Sequence, residues 1–422
     1  MQIAPRSVGY VVLLVALSSF GPLTMSIYTP VMPLIGGALG ASPDAVKLTL
    51  TSYMLGFAIG QLFYGPLSDR FGRRPVLLGG LLFFVATTIG CIYAHSIANL
   101  IAQRFFQGVG ACAGVVIGRA LARDVYEYRD MPRVMGWISL ALNIAPAIAP
   151  SVGGYLGERF GWSATFWVLA VFSSVLFVVT TLGLPETNKH RSAAIDLVSL
   201  LRGSGAMLRD RLFLGYVLTM GFSFAINFGM IAGTPFILQD SLGFTPREFG
   251  LLVLISVSGF TAGGICNQML IGRVAPPHIL QGATTCHLVA LTVMAVPAYF
   301  STLAWWSIVV PHALLSFGSG MVVPTASAGA IGLHPKLAGT ASSLFGLAQM
   351  GIGAFGTVVV AVLTGWAGHS AGIPMVGEWA GCRTVACGVP MPLVIGLAPF
   401  AISGALSAWM LRRVSRREAA GP

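Results

Sequence analysis

The sequence predicts an all-α integral membrane protein with twelve transmembrane helices in two pseudo-symmetric six-helix bundles. Three observations carry that expectation. The 422 residues are 55% hydrophobic and only 9% charged, whereas a soluble chain is about a quarter charged. Apolar runs of roughly 18 residues or more recur, each long enough to cross a hydrocarbon core. The longest polar connection splits these runs six and six.

In chain order the runs lie near 8–28, 46–66, 76–94, 99–121, 133–156, 163–184, 212–236, 247–269, 279–299, 304–328, 339–365 and 391–411. Lipid offers backbone groups no partners, so each run is read as a helix. The first follows Arg6 and resembles a signal peptide, but it is too long for a typical apolar core and many spans follow. It is read as a retained helix. The polar connection "PETNKHRSAAIDLVSLLRGSGAMLRDR" gives an amino-terminal bundle over 1–184, a cytoplasmic linker over 185–211 that includes a short interfacial helix, and a carboxy-terminal bundle over 212–422. A faint repeat links the halves. "GQLFYGPLSDRFGRRPVLL" follows span two and "GICNQMLIGRVAPPHIL" follows span eight, as in repeat-built transporters.

Orientation follows from the basic residues. With both termini inside, only Lys47, Arg104, Arg159, Arg247 and Arg383 of the 24 Lys and Arg fall elsewhere than the cytoplasmic side. The net charge of +11 thereby has a membrane explanation. No aromatic–basic interleaving points to nucleic acid. Four cysteines, Cys91, Cys112, Cys266 and Cys286, lie in or near spans and read as small packing residues. Cys382 and Cys387 share an outer loop, where they form either a disulfide or two free thiols. No spacing suggests a metal site or a cofactor. No nucleophile–base set or phosphate-binding loop suggests an enzyme.

The stretch "YGPLSDRFGRRPVLL" (64–78) places Asp69, Arg70, Arg73 and Arg74 within six residues between oily segments. A basic loop that fixes topology would explain the arginines, but not Asp69 or the Gly-Pro ending. "GPLSDRFGRR" resembles the signature loop of the major facilitator superfamily, in its twelve-helix drug:proton antiporter branch. "RFFQGVGACAG" (104–114) is similar to that family's helix-four motif. Gly136, Ala145, Ala149, Pro150, Gly153 and Gly154 fall at the spacing of its helix-five antiporter motif, with alanine in place of two of its glycines, and Pro146 and Pro150 should bend the helix. "TPFILQDSLGFTPREFG", "AGTASSLFGLAQMGIGA" and "GRALARDVY" resemble the Bcr/CflA drug-resistance subgroup.

The resemblance implies a conformational latch at the charged turn. Asp69 would lie against the start of helix eleven, near Ala338 to Ala341, when the inside is closed. Gly65 would let helices two and eleven touch, Gly72 would permit the tight turn beside Arg70, and Arg73 could pair with Asp124. It implies that Arg104 faces the central cavity. It also implies that the helix-five motif forms a dry seal between halves.

One departure is informative. Relatives carry an acid on helix one, where "SIYTP" has Ser26. No Asp or Glu lies mid-span. A cavity with Arg104 and no acid should favour neutral, zwitterionic or anionic compounds. Candidate pocket residues are Tyr28, Tyr53, Asn143 and Asn227. Phe224, Phe228, Phe345 and Gln349 complete the set. His312, after Pro311, is a candidate proton carrier, whereas His287 should face the periphery. The expected function is export of small amphipathic compounds, drugs and antibiotics among them, by alternating access and proton antiport. The alternative is an uncoupled facilitator or importer of a small metabolite. The resemblance further implies a monomer in the bacterial inner membrane, acting on a small-molecule substrate and protons.

Overall fold

The computed structural model describes residues 4, 7–126, 130–188, 205, 207–299, 304–334, 338–369 and 390–419. Side chains are described for all of these except 131–133, 135, 136, 139–143, 298, 299, 338, 339, 365–369, 390–392 and 415–419. Cys382 and Cys387 lie outside the described residues, as does most of the linker.

Among the described residues there are twelve long helices. They are α1 (Val8–Tyr28), α2 (Pro43–Phe71), α3 (Arg73–Ile92), α4 (Ile97–Val125), α5 (Met131–Phe160) and α6 (Ser163–Gly183). The second half holds α7 (Arg211–Phe236), α8 (Pro246–Leu270), α9 (Pro276–Tyr299), α10 (Trp306–Leu333), α11 (Ala338–His369) and α12 (Pro390–Ala419). A 3₁₀ turn at Thr29–Val31 and a short helix Met32–Leu39 continue α1, and a π-turn at Ile237–Ser241 continues α7.

Helix starts follow local chemistry. Ser7 caps α1, Ser42 caps α2 ahead of Pro43, and Ser96 caps α4. Thr245 and Glu248 form a reciprocal capping box on α8. Each supplies an acceptor to amides that the first helical turn leaves unpaired. Among the described residues ten segments are long and apolar enough to cross a membrane. The two long helices outside that set are α2 and α5. In α2, the buried Thr49, Thr51 and Ser52 lower the apolarity because they serve helix contacts rather than lipid.

The packing repeats with an offset of six helices. In the first half α2 packs on α4, α3 on α4, α1 on α5 and α3 on α6; in the second, α8 on α10, α9 on α10, α7 on α11 and α9 on α12. Two seams join the halves, α2 against α11 and α5 against α8. They are themselves related by the same offset.

Small residues bring α2 and α4 together. A Cβ at Gly56 would run into the Phe105 carbonyl, and one at Gly108 into the Tyr53 carbonyl. Both backbones therefore approach at glycine, the usual device for close helix contact in lipid.

Candidate functional site

Four polar constellations stand out inside this apolar scaffold. The first surrounds Arg104 on α4. Its side chain has no exposed surface. The guanidinium lies 4.3 Å from the Tyr28 ring centre and 4.4 Å from that of Tyr53, with Phe166 at 5.8 Å. One Nη1 bond reaches Gln107 Oε1 at 2.6 Å. Gln107 Nε2 in turn donates to Thr88 Oγ1 on α3 at 2.8 Å. The tyrosine hydroxyls are turned away from the cation. Tyr28 pairs with Thr49 Oγ1 at 2.5 Å, and Tyr53 donates to the Gly21 carbonyl at 3.0 Å. Arg104 Nε and Nη2 have no partner. Among the described residues no carboxylate pairs with it. A buried cation is costly, and here facing aromatic rings supply the main attraction.

This corrects the expectation that Arg104 faces the central cavity. Tyr28 and Tyr53 are equally buried. The guanidinium lies over two tyrosine rings and is fully enclosed within the first bundle.

The second constellation is the charged turn. Arg73 Nε donates to Asp124 Oδ2 at 3.0 Å, and Arg73 Nη1 bonds Ser68 Oγ at 2.7 Å and also Asp69 Oδ1. Asp69 is thus engaged within its own bundle and remains half exposed. Gly72 has φ +104°, and a Cβ there would strike the Glu186 carboxylate. Arg70 stacks on Phe71, with its guanidinium 5.1 Å from the ring centre. A Cβ at Gly65 would meet no described atom within 4 Å. One turn earlier Gln61 Nε2 donates to the Gly346 carbonyl at 3.4 Å, so α2 meets α11 one turn from Gly65.

Sequence reading missed the segment that ties this turn down. Glu186 Oε1 and Oε2 accept the backbone amides of Arg73 (2.9 Å) and Arg74 (3.2 Å), so it caps α3 from the far end of α6. Thr187 donates to Asp124 Oδ2 at 2.9 Å, and Asn188 Nδ2 to the Asp69 carbonyl at 2.8 Å. The signal available was "PETN" at the head of the polar connection, read only as linker.

The third constellation crosses between halves at the opposite end. Lys47 of α2 is buried and bonds Asp44 Oδ1 at 3.2 Å and Thr364 Oγ1 of α11 at 2.5 Å. Its ammonium lies 5.2 Å from the Phe236 ring centre on α7. Thr51 and Thr357 pair at 2.6 Å one turn further in. Gln239 donates to the Pro30 carbonyl at 2.9 Å. On the second seam, Gly154 abuts the Pro246 carbonyl, Gly250 abuts the Pro150 carbonyl, and Ser151 Oγ donates to Gly250 at 3.1 Å. Gly153 faces the other way, against Ile27 of α1. Ala145 and Ala149 border an apolar groove beside Leu23 and Ile27. Pro146 and Pro150 sit inside α5. The helix-five residues thus divide between a contact inside the first bundle and the seam between bundles.

The fourth constellation lies in the second half. Ser319 of α10 meets Ser223 Oγ at 3.0 Å and accepts from Asn227 Nδ2 at 3.1 Å, both on α7. His287 Nε2 of α9 lies 3.3 Å from the same oxygen. His287 is buried, which corrects its expected peripheral position. Glycine makes this possible, because a Cβ at Gly318 would come within 2.8 Å of the His287 ring.

The other expected pocket residues scatter. Ser26, Phe224, Asn227, Phe228 and Gln349 are half-buried, whereas His312 and Phe345 are buried. Phe224 and Phe228 meet edge to face at 5.3 Å. Phe228 also approaches Gly353 of α11 beside Met54 of α2, on the line between halves. Asn143 lies on α5, its side chain outside the described residues.

Paired six-helix bundles, joined by two symmetry-related seams and holding buried polar clusters, define a membrane transporter. The chain belongs to the Major Facilitator Superfamily, whose model matches residues 14–357. It is 28% identical over 346 residues to a bicyclomycin resistance protein homolog of Haemophilus influenzae, covering 82% of this chain and 87% of the relative. It is 30% identical over 368 residues to a chloramphenicol resistance protein of Pseudomonas aeruginosa, covering 84% and 85%. In fold it is similar to a bacterial homolog of the human lysosomal transporter Spinster in its inward-facing, occupied form, with TM-score 0.74 and 17% identity over 96% of both chains.

Proposed function

We propose that this protein exports small neutral or zwitterionic amphipathic compounds, antibiotics among them, from the cytoplasm in exchange for protons. The observation that carries the reading is the contrast between its two ends. Lys47, Thr364 and Gln239 bridge the halves at one end, while beyond Gln61, which bonds the Gly346 carbonyl of α11 at 3.4 Å, a Cβ at Gly65 would meet no described atom. Basic loops cluster on the Gly65 side, which by the positive-inside rule is cytoplasmic. Such a state is open to the cytoplasm and ready to load. The bundles 1–184 and 212–422 would then rock about the α2–α11 and α5–α8 seams, as monomeric carriers of a bacterial inner membrane with cytoplasmic termini. The names of the relatives support antibiotics as cargo. The unpaired cation at Arg104 and the serine at position 26 support uncharged cargo over cations.

The test is substrate-driven proton movement in reconstituted vesicles holding a pH dye, with chloramphenicol as probe. A pH change that tracks drug movement and is lost in Arg104→Ala supports antiport. Transport of labelled chloramphenicol without a pH change supports the second reading, an uncoupled carrier, which the missing helix-one acid favours.

A further inference from the structure

We propose that His287 is the proton-binding group of this carrier and that Ser319 links its protonation to Asn227 on the path between the halves. The inference rests on the antiport reading above and locates its proton.

The geometry is one of limited capacity. A serine hydroxyl has one proton to give and two lone pairs to fill. Ser319 has four neighbours: the Leu315 carbonyl at 3.1 Å, Ser223 at 3.0 Å, Asn227 Nδ2 at 3.1 Å and His287 Nε2 at 3.3 Å. Leu315 only accepts and the Asn227 amide only donates. With Nε2 unprotonated, His287 competes with Leu315 for the hydroxyl proton. Addition of a proton forms one N–H bond at Nε2, and His287 becomes an obligatory donor. His287 and Asn227 then occupy both lone pairs, and Ser223 can only accept from Ser319 or turn away. The charge change is thereby felt at Asn227. That residue is half-buried and adjoins Phe228, which reaches Gly353 and Met54 on the line between halves.

The surroundings single out this imidazole. No Asp or Glu lies within α7, α9 or α10. From α10 the other titratable group is His312, two turns from Ser319; from α7 it is Tyr216, two turns from Ser223. On α9 itself Cys286 adjoins His287, and α8 brings Cys266. From α12, Arg412 is engaged with Gln281 at 2.9 Å, about 9 Å along α9 from His287. Histidine is the side chain whose unperturbed charge change lies nearest neutral pH.

The experiment is histidine-ring NMR of the full-length protein in lipid nanodiscs from pH 3 to 9, with the His287 signal identified by its loss in H287Q. The expected result is a titrating His287 signal whose midpoint moves by about one pH unit or more in S319A. Should H287Q fail to fold, the S319A shift identifies the signal. A signal constant over that range, or identical in S319A and the wild type, overturns the inference. In vesicles, protons moved per chloramphenicol carried should vanish in H287Q, and an unchanged ratio also overturns it. Proton movement in the wild type with a silent His287 sinks this site and leaves antiport standing. A titrating His287 without proton movement sinks antiport and leaves the site.

Discussion

Arg104 sets its guanidinium over two tyrosine rings and spends one N–H on Gln107. A lysine at this position keeps the charge but offers a compact ammonium in place of a flat ion that stacks and forks. Arg104→Lys should therefore lower transport at least as strongly as it lowers stability, measured as drug efflux against unfolding temperature in detergent. Wild-type efflux in that variant would remove the rings from the argument. The importance of Arg104 was legible in the sequence, since a mid-span charge is a candidate by default. Its enclosure was not, because nothing local states that tyrosines from α1 and α2 converge on it. His287 was misread for the same reason. Its partner Ser319 lies 32 positions away, and Ser319 in turn meets Asn227, 92 positions from it; periodicity along α9 does not reveal them.

The α2–α4 pair illustrates how elements are held. Gly56 and Gly108 each face a carbonyl of the other helix. Gly108→Leu should force the helices apart at a cost of about 1–3 kcal/mol or more, seen as lost expression or a lowered unfolding temperature. Gly79, which meets nothing within 4 Å, is the control, and Gly79→Ala should be silent. At α3 the cap comes from Glu186 rather than from a residue just before the helix. Glu186→Ala should cost on the order of 1 kcal/mol through the freed amides and helix-end charge, read by thermal unfolding. The spans themselves were legible from apolar length and turn chemistry; most ends agree to within five residues, and α12 runs eight residues past its expected end. The distant cap was not, because its partners are separated by more than a hundred residues.

At the scale of the molecule, the clamp of Lys47, Asp44 and Thr364 holds one end closed. Paired Lys47→Ala and Thr364→Val should raise the share of molecules open at that end, read as wider spin-label distances between α2 and α11. An unchanged distance distribution would show that the Thr51–Thr357 and Gly154–Pro246 contacts suffice. The two-bundle plan was foreseeable from the central polar connection and the faint Gly-Arg repeat. The clamp was hidden because Lys47 reads as an ordinary outer charge until α11 is laid beside it. The lone cation at Arg104 also reaches beyond its own bundle. At an effective dielectric of 20, a second unit charge about 10 Å away is opposed by ~1.7 kcal/mol, somewhat over tenfold in binding. Bacteria making this protein should thus tolerate uncharged antibiotics better, yet gain little against quaternary ammonium disinfectants and cationic dyes, and a hospital surface treated with those biocides would not select for it.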